Sequence, residues 1–266
     1  EGTPLQYFLR VSAEPDAPPI HLNALLGARL SLSFTGDIRC QACGTGTRKS
    51  YGQGHCYRCF KRLARCDLCV MAPHRCHYDQ GTCREPEWGE AHCFIPHVVY
   101  LANSSGIKVG ITRETQVPTR WIDQGAVQAM PVIRVKTRQQ SGLAEVIIKQ
   151  HITDRTQWQR MLKGQVEELD LAAIWQGLQP LVMDEVKQLQ RDHGLQAIQV
   201  LEQPESVAIR YPVTEYPSKV KAHNFDKQDR VEGVLMGIKG QYLMLDTGVI
   251  NVRKFTAYQV EFLAEA

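Results

Sequence analysis

The chain has 266 residues, 43% of them hydrophobic, and a formal net charge of +3. That length and apolar content can bury a sizeable core spread over two or three domains. No apolar run approaches the twenty or so residues that a membrane-crossing helix needs, and there is no internal repeat or low-complexity tract.

In chain order, residues 5–12 and 25–39 read as strands leading into a cysteine-rich module. All nine cysteines fall between Cys40 and Cys93. Cys40-x2-Cys43 and Cys56-x2-Cys59 form two knuckles at the spacing that closes a tetrahedral thiolate site around Zn2+. The glycines between them (Gly44, Gly46, Gly52, Gly54) let that loop bend. An odd cysteine count, confined to one segment behind a polar, Pro-containing start without an export signal, argues against disulfides. The expected compartment is therefore the reducing cytoplasm. Further on lie Cys66, Cys69, Cys76, His77, Cys83, His92, Cys93 and His97, more ligands than one ion needs. A second zinc centre is expected on Cys66, Cys69, Cys83 and Cys93, with Cys76 or His77 able to replace one member. A cysteine-ligated iron–sulfur cluster is the alternative.

Charge is uneven across this module. From Arg39 to Cys76 there are eight basic side chains against a single acid, Asp67. Metal-held thiolates balance part of that excess. The rest makes a positive surface interleaved with Tyr51, Tyr57 and Phe60, and Arg48, Lys49, Lys61 and Arg62 are its candidate nucleic-acid contacts.

A ββαβα order follows. Val98–Ala102 and Ile107–Ile111 read as a hairpin around Asn103-Ser104-Ser105-Gly106. A helix opened by Pro118 carries Arg120 and Trp121, and Pro131–Thr137 is a third strand. Ser141 is the expected cap of a helix holding Leu143, Val146, Ile147 and Ile148. Further helices are expected over about 154–163 and 168–193, the second interrupted near Pro180 and stopped by Gly194. The run Val98-Val99-Tyr100, Lys108-Val109-Gly110-Ile111-Thr112, Arg120 and Glu145 resembles the GIY-YIG nuclease superfamily. The resemblance covers about 55 residues and departs from the usual second motif at Lys108, as a phage-associated branch of that superfamily does. It implies a ββαβ(α) core and metal-dependent phosphodiester hydrolysis. By position it implies Tyr100 acting on the attacking water, Arg120 on the phosphate, and Glu145 holding Mg2+, with Lys108 at the variant motif position. Independently of the resemblance, an unpaired Glu145 on an otherwise apolar helix face is costly to bury and calls for a partner, a metal or Arg120. The whole chain also resembles a bacterial and archaeal family of uncharacterised proteins.

The Pro-rich stretch Pro204–Pro217 reads as a linker. After it, Val231–Gly237, Gln241–Asp246 and Gly248–Arg253 read as a three-stranded meander within a small barrel, with Gly237-Ile238-Lys239-Gly240 as a turn. The expected class is α+β in three domains: 1–96 with the zinc module, 97–200 with the GIY-YIG-like core and its helices, and 201–266 as the β module. The expected function is that of a zinc-binding, nucleic-acid-interacting protein with an Mg2+-dependent phosphodiesterase domain. The alternatives are a non-catalytic nucleic-acid binder on a degenerate nuclease fold, or a zinc scaffold for protein partners. DNA and RNA are equally open as the nucleic acid.

Overall fold

A computed structural model describes residues 3–10 and 16–265. In chain order its strands are β1 (Phe8–Leu9), β2 (Ile20–His21), β3 (Arg29–Ile38), β4 (His97–Asn103), β5 (Ile107–Arg113), β6 (Gln128–Val135), β7 (Ile198–Val200), β8 (Val207–Ala208), β9 (Arg230–Lys239), β10 (Tyr242–Leu245), β11 (Gly248–Asn251) and β12 (Tyr258–Glu265). Its helices are α1 (Tyr57–Arg62), α2 (Leu68–Met71), α3 (Pro86–Cys93), α4 (Thr119–Asp123), α5 (Arg138–Lys149), α6 (Trp158–Leu162) and α7 (Leu171–His193). The class is mixed α+β with several sheets, none closed into a barrel. Of the strand expected over 5–12, Phe8–Leu9 forms, while positions 11 and 12 lie outside the described residues.

The chain folds as two compact units, and neither is a continuous segment. The expected boundaries after residues 96 and 200 do not coincide with them. The first unit takes the described residues up to Cys59, Gln159–Gln165, and those from Ile209 onward. Its sheet runs β11-β10-β9-β3-β12. The meander β9-β10-β11 is as expected, but the sheet stays open and recruits the N-terminal β3 between β9 and β12. Alternation along β3 explains the insertion: Leu30 and Leu32 point inward while Arg29, Ser31 and Ser33 do not. They join Val231, Leu235, Leu243, Ile250 and Phe255 in one core. The expected turn at Gly237–Gly240 is misplaced, because β9 runs on to Lys239 and the chain reverses at Gly240, φ +60°. Lys239 is fully buried; its Nζ donates to the Met161 carbonyl at 3.0 Å and lies over the Tyr211 and Tyr216 rings. Nor is Pro204–Pro217 a free linker. Ile209 and Tyr211 are buried, and the Pro212 carbonyl accepts from Ile238 N–H.

The second unit comprises Phe60–Trp158 and Val166–Ala208. Its sheet runs β5-β4-β6-β7, with β8 also on β6. Every residue of central β4 is buried. Val99 and Leu101 pack with Val109, Met130, Ile133, Ile147, Ile148, Trp175 and Val182 in the core shared with α5 and α7. α5 begins earlier than expected. Thr137, not Ser141, is its cap, in a reciprocal box with Gln140, while Ser141 Oγ donates back to the Arg138 carbonyl at 2.7 Å. α7 runs unbroken through Pro180. The carbonyl that Pro180 leaves without an N–H partner belongs to Gln176, an exposed residue, so the lost bond falls on the solvent side. Among the described residues, no helix is long and apolar enough to cross a membrane.

Candidate functional site

Cys40 and Cys43 stand on the first knuckle, just after β3, and Cys56 and Cys59 close the second, Cys59 from the first turn of α1. Bridges Arg39↔Gly46 and Tyr51↔His55 zip each loop at its base, and Gly44 turns at φ +71°. The four sulfurs all lie within 4.8 Å of one another, and Cys43 Sγ is 3.8 Å from Cys56 Sγ. Sulfurs about 2.3 Å from a tetrahedral Zn2+ stand about 3.8 Å apart, the Cys43–Cys56 separation, and the whole set is compact enough to close on such an ion. Burial opposes ionisation of Cys40, yet backbone N–H groups of Cys56, Ala42 and Cys43 bring it down to about 6. Burial, and then the sulfurs of Cys43, Cys56 and Cys40, push Cys59 up to about 12. Thiols crowded in this way ionise together only when a cation joins them. The cluster could hold a metal such as zinc.

The second expected set is not gathered in the same way. Among the described residues, the coordination-distance group there is Asp67, Cys69 and His77, and Cys66, Cys83 and Cys93 do not join it. Asp67 is already engaged: it caps α2 at Leu68 N–H, 2.6 Å away, and pairs with Arg84 at 2.7 Å. Burial pushes Cys69 up to about 11, reinforced by negative charge at Asp67, Cys76, Cys93 and Cys83. His92 stacks on Trp88, and His97 is buried at the start of β4.

Arg48 and Lys49 are exposed in the first unit, where they line a pocket of about 570 Å³ together with Arg253 and Lys254. Lys61 and Arg62 are exposed at the end of α1.

In the second unit the register pairs Tyr100 with Gly110 and Ala102 with Lys108, so Tyr100 and Lys108 share one face of the hairpin. The Tyr100 ring lies across Gly110; a Cβ there would stand 2.7 Å from ring atoms, which is why no side chain fits. α4 sets Trp121 beside the Tyr100 ring, 5.8 Å between centroids, and brings the Arg120 charge close enough to favour ionisation of the phenol. Gln124, the residue that ends α4, accepts through Oε1 from Tyr100 Oη at 2.9 Å and from Lys108 Nζ at 2.8 Å. Lys108 Nζ also donates to Thr156 Oγ1 at 2.7 Å. Thr156 is in reach because the chain after α5 runs along the β5 edge, where Val109 N–H donates to the Thr153 carbonyl. Gln124, Thr156 and Asp154 carried no motif signal in the sequence; hydrogen bonds reveal the first two, and the charge acting on Glu145 and Lys108 reveals the third.

Glu145 comes from α5 and is half-buried. Among the described residues it makes no ion pair within 4.0 Å, although Arg120, Arg138 and Lys149 act on it from further off. Burial, and then the charge of Asp154, push it up to about 7. Asp154 pairs with Lys149. Burial also moves Lys108 down to about 8, with Arg120 adding to the effect and Asp154 and Glu145 opposing it. Tyr100 is pushed up to about 12, by burial first. The phenol is thus a neutral donor at physiological pH, and Lys108 and Glu145 are the groups that titrate near it. Glu145 is thus a half-buried carboxylate with no ion pair of its own among the described residues, whose ionisation the charge of Asp154 opposes further.

A family model described as "Protein of unknown function (DUF2797)" matches residues 27–260. A search of the curated proteins and a search of the solved structures each returned no match.

Proposed function

The chain belongs to the DUF2797 family, and we propose that it is a zinc-stabilised, nucleic-acid-interacting protein whose second unit is a GIY-YIG-like phosphodiesterase. The observation that carries this reading is the grouping of Tyr100, Lys108, Arg120 and Glu145. They come from β4, β5, α4 and α5; the charges of Arg120 and Glu145 act on both Tyr100 and Lys108, and Arg120 acts on Glu145. Arg120 offers a fork to a phosphate, and Lys108 a second compact charge. Glu145, with Asp154, would hold a divalent cation such as Mg2+. That ion, when bound, would neutralise charge on the phosphate and lower the pKa of attacking water. Tyr100, held in place by Gln124 and Gly110, orients the water, and Lys108 is the group whose pKa of about 8 suits proton transfer.

The test is cleavage by the zinc-loaded full-length chain, with and without added Mg2+, on single- and double-stranded DNA and RNA. Glu145→Ala should lower Mg2+-dependent cleavage by roughly a hundredfold or more while binding stays within about twofold. Arg120→Ala should damage both. Binding should weaken steeply with salt, because phosphate contacts release counterions. Binding without cleavage on every substrate would leave the second reading, a non-catalytic binder. The close bonding of Lys108, 4% exposed and held by Gln124 and Thr156, favours that reading.

A further inference from the structure

The pocket in the first unit has a chemistry that the cysteine cluster does not explain. One wall is the loop between the knuckles, which carries Arg48 and Lys49; the other is the 3-10 turn Val252–Phe255, which carries Arg253 and Lys254. Against these four cations stands one carboxylate on the lining, Asp226, already engaged by Tyr258 Oη at 2.5 Å and by Lys254 at 3.5 Å. The two walls are tied where Arg253 Nε donates to Gln53 Oε1 at 3.0 Å, which leaves the Gln53 amide hydrogens as its offering to the pocket. Asn251 is in the same position. Its Oδ1 caps the 3-10 turn by accepting from Arg253 and Lys254 N–H, so its Nδ2 hydrogens remain. Cations and amide donors therefore dominate the lining, which selects for an anion rich in acceptor oxygens.

Size narrows the class. A cavity of about 570 Å³ falls in the range of organic-ligand sites and is far larger than an inorganic anion needs. Tyr258 adds an aromatic surface, and Ser50 and Gln241 add groups that both donate and accept. We propose that this pocket binds a phosphorylated nucleotide, with its phosphate between the Arg48–Lys49 and Arg253–Lys254 walls. The source is either a free nucleotide or the phosphorylated end of a strand. The proposal draws on the nucleic-acid reading of Arg48 and Lys49 but not on the phosphodiesterase reading.

The experiment is calorimetric titration of the zinc-loaded full-length chain with adenosine 5′-monophosphate, adenosine, inorganic phosphate and a 5′-phosphorylated decanucleotide. The monophosphate should bind at least tenfold more tightly than adenosine or phosphate alone. Arg253→Glu should weaken it tenfold or more. Arg48→Glu, on an exposed loop, should do the same with zinc content unchanged, which guards against a misfolded Arg253 variant. Glu145→Gln should leave this binding intact even where cleavage stops, so that the two proposals fail separately. A decanucleotide that binds tenfold more tightly than the monophosphate identifies a strand end, and equal affinities identify a free nucleotide. Adenosine binding as well as its monophosphate, or affinity unmoved by both charge reversals, would overturn the proposal.

Discussion

Glu145 is a carboxyl whose folded-state pKa, about 7, lies above the ordinary 4.5. The sign of its effect on stability follows. Below 4.5 it is protonated in both states and costs nothing. As pH rises from 4.5 through about 7, the folded state must surrender a proton that burial favours keeping, and stability falls. Glu145→Gln should therefore raise stability at pH 8, by about 1–3 kcal/mol, and change little at pH 4. Added Mg2+ should raise the melting temperature of the unmodified chain at pH 8 and leave that of Glu145→Gln unmoved. Thermal melts at both pH values check this, and an equal effect of the substitution at pH 4 and pH 8 would rule out burial of the charge as its cause. Much of this site was readable in the residues, since Tyr100, Lys108, Arg120 and Glu145 each stand in a recognisable element order. Gln124 and Thr156 were not, because a glutamine at a helix end and a threonine in a loop have no spacing that sets them apart. Their part depends on a register and an edge path that only the folded chain fixes.

α5 shows why element limits were harder to read than element identities. Its apolar positions announce a helix, but two residues compete to cap it, and Thr137 prevails because Gln140 stands three positions on to complete the box. Gly142 lies buried within α5. A Cβ on it would stand 2.6 Å from the His74 backbone nitrogen and 2.7 Å from Pro73 Cβ. Glycine there is a requirement of packing. Helix propensity alone favours Gly142→Ala by about 1 kcal/mol. Forcing backbone apart costs about 1–3 kcal/mol. Packing should win, so Gly142→Ala should destabilise the chain in a denaturant titration; a stabilised variant would mean that the Pro73–Arg75 turn yields freely. The barrel expected at the C-terminus failed for a related reason: the meander itself was readable, but the partner of β9 lies some two hundred residues upstream, beyond the reach of local patterning.

For the molecule as a whole, the four-cysteine cluster that could hold a metal belongs to the first unit. Removal of zinc by chelation should expose Cys40, Cys43, Cys56 and Cys59 to thiol reagents and loosen that unit first, since thiolate coordination and folding are coupled. Hydrogen exchange should show protection lost around residues 38–59 while β4 keeps its own. Simultaneous loss in both units would mean that they unfold as one. Metal analysis of the same sample decides the stoichiometry: one zinc per chain fits the single four-cysteine group, and two would require Cys69 and its neighbouring thiols to close around a second ion.

The path of β3 has a consequence for how the protein is made. β3 is synthesised well before both its sheet neighbours, β9 and β12, which lie some two hundred residues downstream. All four candidate ligands of the two cysteine knuckles lie between Cys40 and Cys59, so they can capture metal while synthesis continues. The second unit's sheet, complete by Ala208, also precedes the strands that flank β3. Assembly of the first sheet therefore follows that of the second unit's sheet, and until β9 and β12 are made β3 presents two unpaired edges. An interrupted message would yield a chain with its metal loop and second unit formed and a bare strand exposed, a species for chaperones and proteases to recognise.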